Sequence, residues 1–254
     1  MPASRLSGGC RKDFNHQTPG PQCAPPFHMR TTSSQLRVLF EDLFRHYGFS
    51  AGWPAGDWPR SGAFQPPEFE IVVGALLTQN TRWRNVEKAL LRLVESGLVS
   101  APAVASVPLT ELQQKIQGCG YYRQKARRLQ GISGFISNFS GDFYRRIDRR
   151  SLLALEGIGP ETADTILLYA CDRLHFVVDA YTRRIFTRYG TFPRSIGYAD
   201  MQQFFQRRLP PEVALYKGFH ALIVEHAQQT CRQQPLCEPC VLRTRCRWTI
   251  EGEV

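Results

Sequence analysis

The chain has 254 residues, 43% of them apolar, and a formal net charge of +10. That length suffices for one large core or two smaller ones, and no apolar run approaches the roughly 20 residues of a membrane-spanning helix. The arginine pairs Arg145-Arg146, Arg149-Arg150, Arg183-Arg184 and Arg207-Arg208 point to a polyanionic partner, against the plainer reading of a solvated basic face.

Residues 1–30, rich in Pro, Gly, Ser and Gln, lack helical or strand periodicity and read as a disordered tail. Cys10 and Cys23 fall there without a ligand pattern. Met29 just precedes the first helix signal, so translation starting at that residue is one expectation. Ser33-Ser34 followed by Leu36, Leu39, Phe40, Leu43, Phe44 and Tyr47 marks that helix.

Helical periods then follow one another from Phe69 to Gln79, Arg82 to Glu95, Leu109 to Gln117, Tyr122 to Phe139 and Arg149 to Leu155. They continue from Glu161 to Cys171, Tyr181 to Tyr189, Tyr198 to Arg208 and Glu212 to Gln228, broken by Gly or Pro. Alternating strand patterns are nearly absent and no internal repeat is visible. The expected class is all-α, and nine or ten helices fit two lobes better than one bundle.

Between two of these helices stands Leu155-Glu156-Gly157-Ile158-Gly159-Pro160-Glu161. A Gly-Ile-Gly turn before a helix that opens with Pro160 leaves backbone N–H groups free at a positive helix end, able to hold a phosphate without reading its base. An ordinary helix–helix loop is the alternative. Further on, Asp179 follows Val177-Val178 and precedes a helix, which suits an N-cap and equally a carboxylate that activates water or stabilises a cation. The chain closes on Cys231-x5-Cys237-x2-Cys240-x5-Cys246. Four thiolates at that spacing can enclose an iron–sulfur cluster or a structural zinc ion; disulfides are the blander choice.

The hairpin, Asp179 and the four-cysteine loop together resemble the helix–hairpin–helix DNA glycosylases of the endonuclease III superfamily, over roughly residues 35–250. The resemblance implies a six-helix lobe at 65–173, with the helix–hairpin–helix at 149–171, and an iron–sulfur cluster lobe made of 31–64 and 174–254. It implies phosphate contact at Gly157, Ile158 and Gly159, catalysis at Asp179, and a [4Fe–4S] cluster on Cys231, Cys237, Cys240 and Cys246, with zinc as the alternative. Gln79 and Tyr121 lie where the family inserts residues into DNA. Lys125, Arg127 and Arg128 behind Tyr121 are expected to meet phosphates or form a solvated face.

Two departures refine the resemblance. Bifunctional members carry a nucleophilic lysine two residues after the second hairpin glycine; here that residue is Glu161, and a carboxylate cannot form an imine. The first cysteine loop has five residues where the common pattern has six. Ala75 to Trp83, the hairpin with Glu161, and Phe219 to His226 look like the 3-methyladenine glycosylase branch. The implied activity is monofunctional removal of alkylated purines from damaged double-stranded DNA, the flipped cationic base held by Trp58 or Trp53 and by Glu161. The alternatives are a glycosylase for oxidised or mismatched bases, with or without lyase activity, and a non-catalytic iron–sulfur DNA-binding protein. A monomer without a membrane partner, cytoplasmic and on the nucleoid if bacterial, completes the expectation.

Overall fold

Thr32 opens the first helix with a reciprocal cap: its hydroxyl accepts the Gln35 N–H, and the Gln35 side chain accepts the Thr32 N–H at 2.8 Å. Two donors that a helix start leaves free are thereby satisfied. The computed structural model describes residues 31–48 and 61–251, so Trp53, Trp58 and the tail through residue 30 lie outside the described residues.

The helices run in order as α1 (Ser33–Tyr47), α2 (Pro67–Leu77), α3 (Trp83–Glu95), α4 (Ala101–Ser106), α5 (Leu109–Lys115), α6 (Tyr122–Ser137) and α7 (Phe143–Arg146). There follow α8 (Arg149–Leu153), α9 (Pro160–Thr165), α10 (Ala180–Tyr189), α11 (Tyr198–Arg208), α12 (Val213–Gln229) and α13 (Arg247–Glu251). Among the described residues there is no strand, and the all-α class expected from the periodicity holds. Three short helices, α4, α7 and α13, were not expected. All three spans are too short to show a period, and α4 and α7 depend on local caps: Ser100 Oγ accepts the Ala103 N–H and Asp142 Oδ1 the Arg145 N–H.

Beyond its acidic first turn α2 is apolar on every side, with Phe69, Ile71, Val72, Val73, Leu76 and Leu77 all buried, as a helix enclosed by others must be. It packs against α3, α6, α9 and a single π-helical turn at Ile166–Ala170 that continues α9. That turn also meets α12, which in turn packs on α1 and α10. The extra residue of the π turn places Tyr169 toward α12, where its hydroxyl reaches His220.

One expectation on α6 is corrected. Lys125 is 2% exposed, and its ammonium points inward to the carbonyls of Leu77 at 2.9 Å and Cys119 at 2.5 Å. It caps the negative end of α2 and cannot meet a phosphate. Burial pushes its pKa down, with the Cys119 thiol opposing. Arg127 on the same helix is exposed, whereas Arg128 leans over the hairpin.

Asp164 ties these parts together. It is fully buried and accepts Arg149 Nε at 2.7 Å and Nη2 at 3.0 Å, the Tyr198 hydroxyl at 2.7 Å and Gln202 Nε2 at 2.8 Å, with His175 Nδ1 3.3 Å away. Burial alone would raise its pKa. The hydrogen bonds from His175, Arg149 and Tyr198 outweigh it and hold the carboxyl at about 2. α8, α9, the segment at 174–178 and α11 therefore share one acceptor. Because the folded pKa lies below the unfolded value of about 3.9, this stabilisation is present above that value and lost as pH falls through about 2. Asp164→Ala should lower unfolding free energy at pH 7 by roughly 3–5 kcal/mol, the usual loss when one partner of a buried pair is removed. Urea denaturation measures it, and a loss below about 1 kcal/mol would contradict the role.

Candidate active site

Asp148 begins the first half of the hairpin by accepting the Ser151 N–H at 2.7 Å at the start of α8. The chain turns back through Gly157 at φ +76°, a left-handed conformation that favours glycine. A side-chain carbon at Gly157 would also fall 2.1 Å from Arg128 Nε. Ile158 is 5% exposed and pins the turn to the core. Gly159 brings no side-chain cap and Pro160 follows at the first helical position, so the first-turn N–H groups of α9 stay open to an anion.

Gln79, expected to enter the duplex, lies against this hairpin. Its Nε2 donates to the Gly157 carbonyl at 3.0 Å and the Thr162 hydroxyl at 2.9 Å, and its Oε1 accepts Arg128 Nη1 at 3.4 Å. Tyr121 has the opposite setting. It stands in left-handed conformation at φ 44° ahead of α6 and is 71% exposed.

Behind the hairpin lies a cleft of about 130 Å³ whose lining includes Gln79, Trp83, Glu161, Tyr169, Asp179, Tyr181 and His220. Asp179 is the N-cap of α10, as expected. Its Oδ1 accepts both the Thr182 N–H at 2.7 Å and the Thr182 hydroxyl at 2.8 Å, which aims Oδ2 elsewhere. His220 Nε2 lies 3.6 Å from Oδ2, a Coulombic contact too long for a hydrogen bond. The pKa of Asp179 is lowered: burial works upward, and the His220 contact with the two Thr182 donors overcomes it.

Glu161 moves the other way. Its carboxyl stands at the cleft mouth, walled by protein yet reached by solvent. Burial among those walls and the Asp179 charge push its pKa up to about 7, with His220 opposing. Solvent at the mouth tempers the burial contribution. Two carboxyls in one cleft thus ionise far apart, the arrangement that separates a proton holder from a standing anion.

A second groove of about 850 Å³ shares Glu161 and Asp179 and runs past Arg183, Arg184, Arg188, Arg194 and Arg247. Several of these cations are oriented by backbone carbonyls: Arg183 by Ile196, Arg184 by Ala227 and Cys231, Arg188 by Arg232 and Gln233. Their charge remains, beside the cleft.

The four late cysteines are unpaired thiols that line one small cavity together with Ile185, His226, Leu236, Leu242 and Trp248. Arg188 Nη1 approaches Cys231 Sγ at 3.5 Å and His226 Nε2 approaches Cys240 Sγ at 3.8 Å. Burial pushes the Cys240 thiol up to about 11, with the neighbouring cysteines adding to the rise. Ionising such a group needs a strong cation beside it, which is what a metal centre supplies. Among the described residues no three His, Cys, Asp or Glu side chains close around one point as a single ion requires.

Sequence reasoning gave no role to Tyr169, Thr182 or His220 and placed Trp83 only within a motif. His220 lay in a quoted stretch, but its partners are on other elements and no local spacing announces them.

Comparison with known proteins bears on the family and the fold. Residues 73–211 match the family described as the HhH-GPD superfamily base excision DNA repair protein. A Methanocaldococcus jannaschii protein named "putative DNA repair glycosylase" is 38% identical over 82% of this chain and 94% of its own length. Endonuclease III of Sulfolobus acidocaldarius is 28% identical over 72% of this chain and 83% of its own. Among solved structures, H. pylori 3-methyladenine DNA glycosylase (MagIII) bound to 1,N6-ethenoadenine shares 29% identity at a TM-score of 0.66, covering 78% of this chain and 98% of that one. An endonuclease III–DNA complex, at 22% identity and a TM-score of 0.73 over 87% and 98%, shows the same fold.

The raised pKa of Glu161 has a measurable consequence for stability. Between the unfolded value of about 4.3 and the folded value of about 7, the unfolded chain releases a proton that the folded one keeps, so this residue destabilises the fold increasingly as pH rises through that window. Glu161→Gln should therefore raise the melting temperature at pH 8 and leave it almost unchanged at pH 4. An equal shift at both values would contradict the assigned pKa.

Proposed function

This chain belongs to the HhH-GPD superfamily of base excision DNA repair proteins, and from that premise we propose that it is a monofunctional DNA glycosylase that releases alkylated purines such as 3-methyladenine by hydrolysis. The observation that carries the reading is the cleft shared by Asp179 and Glu161, with the carboxylate at the lysine position and aromatic rings alongside.

DNA is the partner. In this reading residues 65–173 form one side of the cleft and 31–64 with 174–254 the other. Gly157, Ile158 and Gly159 present N–H groups to a phosphate, and exposed Tyr121 fills the space left by the flipped base. Gln79 leaves its clasp on the hairpin or steers from it. Trp83 and Tyr181, with Trp53 or Trp58, offer faces that attract a cationic base. An alkylated purine carrying positive charge is already a good leaving group, so the chief demand is on the sugar. Asp179, kept ionised, stabilises the developing sugar cation or takes the proton of the attacking water. Glu161, able to hold a proton near neutrality, stands at the mouth for the departing base.

No lysine is among the described residues that line the cleft. Lys125 is enclosed between two carbonyls, and Lys217 Nζ is held by Asp172 Oδ1 at 2.5 Å. Both placements support the absence of lyase chemistry. The endonuclease III relatives favour the second reading, removal of oxidised bases on the same scaffold.

Cys231, Cys237, Cys240 and Cys246 would hold a [4Fe–4S] cluster, whose contribution is to brace the loop that carries them. A lone zinc ion gathers its sulfurs at about 2.3 Å, whereas a cluster gives each thiolate its own iron. The likeness of the four-cysteine loop to the family's cluster-binding loop favours the cluster.

Asp179→Asn should lower base release by roughly 10²–10⁴-fold while DNA binding persists, in single-turnover assays alongside filter binding. Borohydride should trap no adduct between the wild type and abasic DNA; efficient trapping would overturn the monofunctional reading. Protein purified without oxygen should be brown and carry about four iron and four sulfide per chain. Stoichiometric zinc without sulfide would reject the cluster.

A further inference from the structure

Phe219 to His226 entered the comparison of motifs as a likeness only, and its histidine has an unexplained setting. His220 is 8% exposed, and its Nε2 is buried with no hydrogen-bond partner. Its Nδ1 lies 2.8 Å from the Tyr169 hydroxyl, and its Nε2 faces the one oxygen of Asp179 that Thr182 does not occupy.

We propose that His220 is the positioning residue of the cleft: clamped by Tyr169, it turns an N–H toward Asp179 and holds that carboxylate in its charged form and in place for the reaction. This deepens the glycosylase reading and rests on it.

The direction of the N–H follows from the carboxylate. Ionised Asp179 Oδ2 can only accept, so the one hydrogen of a neutral His220 ring belongs on Nε2, the nitrogen that faces it. Nδ1 is then the acceptor for the Tyr169 hydroxyl at 2.8 Å. A buried N–H 3.6 Å from a carboxylate oxygen is poised to close when substrate or water enters, since such contacts tighten in the reacting complex.

Asp179 is faced from α9 by Glu161, from the π turn by Tyr169 and from α12 by His220, with Thr182 donating from its own helix. Glu161 repels the carboxylate when ionised. Tyr169 stays neutral, its own pKa raised by burial and then by Asp179. His220 is the group of these three that favours the anion.

The test combines kinetics with a measurement that needs no turnover. In single-turnover release of 3-methyladenine, the wild type should hold its rate from pH 7 to pH 5. His220→Phe should lower the rate about tenfold at pH 7 and further toward pH 5, its acid limb moved up by about one unit, the scale of a lost charge-assisted contact. His220→Gln, which keeps an N–H at similar reach, should restore most of that limb, and Tyr169→Phe should shift it in the same direction as His220→Phe. A His220→Phe rate lowered equally at every pH would mean a packing role and overturn the proposal. ¹⁵N spectra of the wild-type histidines should show His220 protonated at Nε2 and bare at Nδ1. The reverse tautomer would also overturn it. The expected tautomer in a wild type that releases no base would instead refute the glycosylase reading and leave the clamp intact.

Discussion

The cleft is organised by a carboxylate that does not line it. Asp164 is fully buried and draws Arg149, Tyr198, Gln202 and His175 onto two oxygens. The helices on both sides of the hairpin therefore share an anchor with α11 and with the segment that runs into Asp179. Through that anchor the hairpin turn at 157–159 and Asp179 keep a fixed spacing, which in the proposed reading is the spacing a flipped nucleotide has to match. Burying the charge is costly, and the cost is met because every side of the carboxylate has a donor.

Inside the cleft the same chemistry is used in the opposite way. Asp179 and Glu161 are close enough to feel each other, and their surroundings separate them: three contacts favour the Asp179 anion, while walls and like charge push Glu161 toward its protonated form. A lysine in place of Glu161 would add a nucleophile and remove the like charge. The single exchange thus alters both the covalent option and the protonation state of the site.

Much of this was legible in the residues. Apolar periods marked the longer helices within a few positions, because each buries one stripe against a neighbour. The Gly-Ile-Gly turn, Asp179 and the cysteine spacing were visible because their demands are local: a left-handed residue, a cap, a loop of set length. The rest depended on contacts distant in sequence. Lys125 looked like a surface cation because its helix face is otherwise basic, and only the carbonyls of Leu77 and Cys119 draw it inward. The π turn leaves no mark in the pattern from Glu161 to Cys171, yet it places Tyr169 beside His220. Gln79 shows in sequence as a polar turn residue, and its clasp on Gly157 appears only once the helices are packed.

The central claim is that this cleft hydrolyses the bond to an alkylated base and leaves the sugar backbone whole. Duplex DNA carrying 3-methyladenine and duplex carrying thymine glycol, incubated with the same wild-type preparation and resolved for free base and for strand length, tests it directly. Release of free 3-methyladenine well ahead of thymine glycol, with the abasic strand unbroken until alkali is added, is the predicted result. Faster release of thymine glycol, accompanied by strand cleavage without alkali, would contradict it.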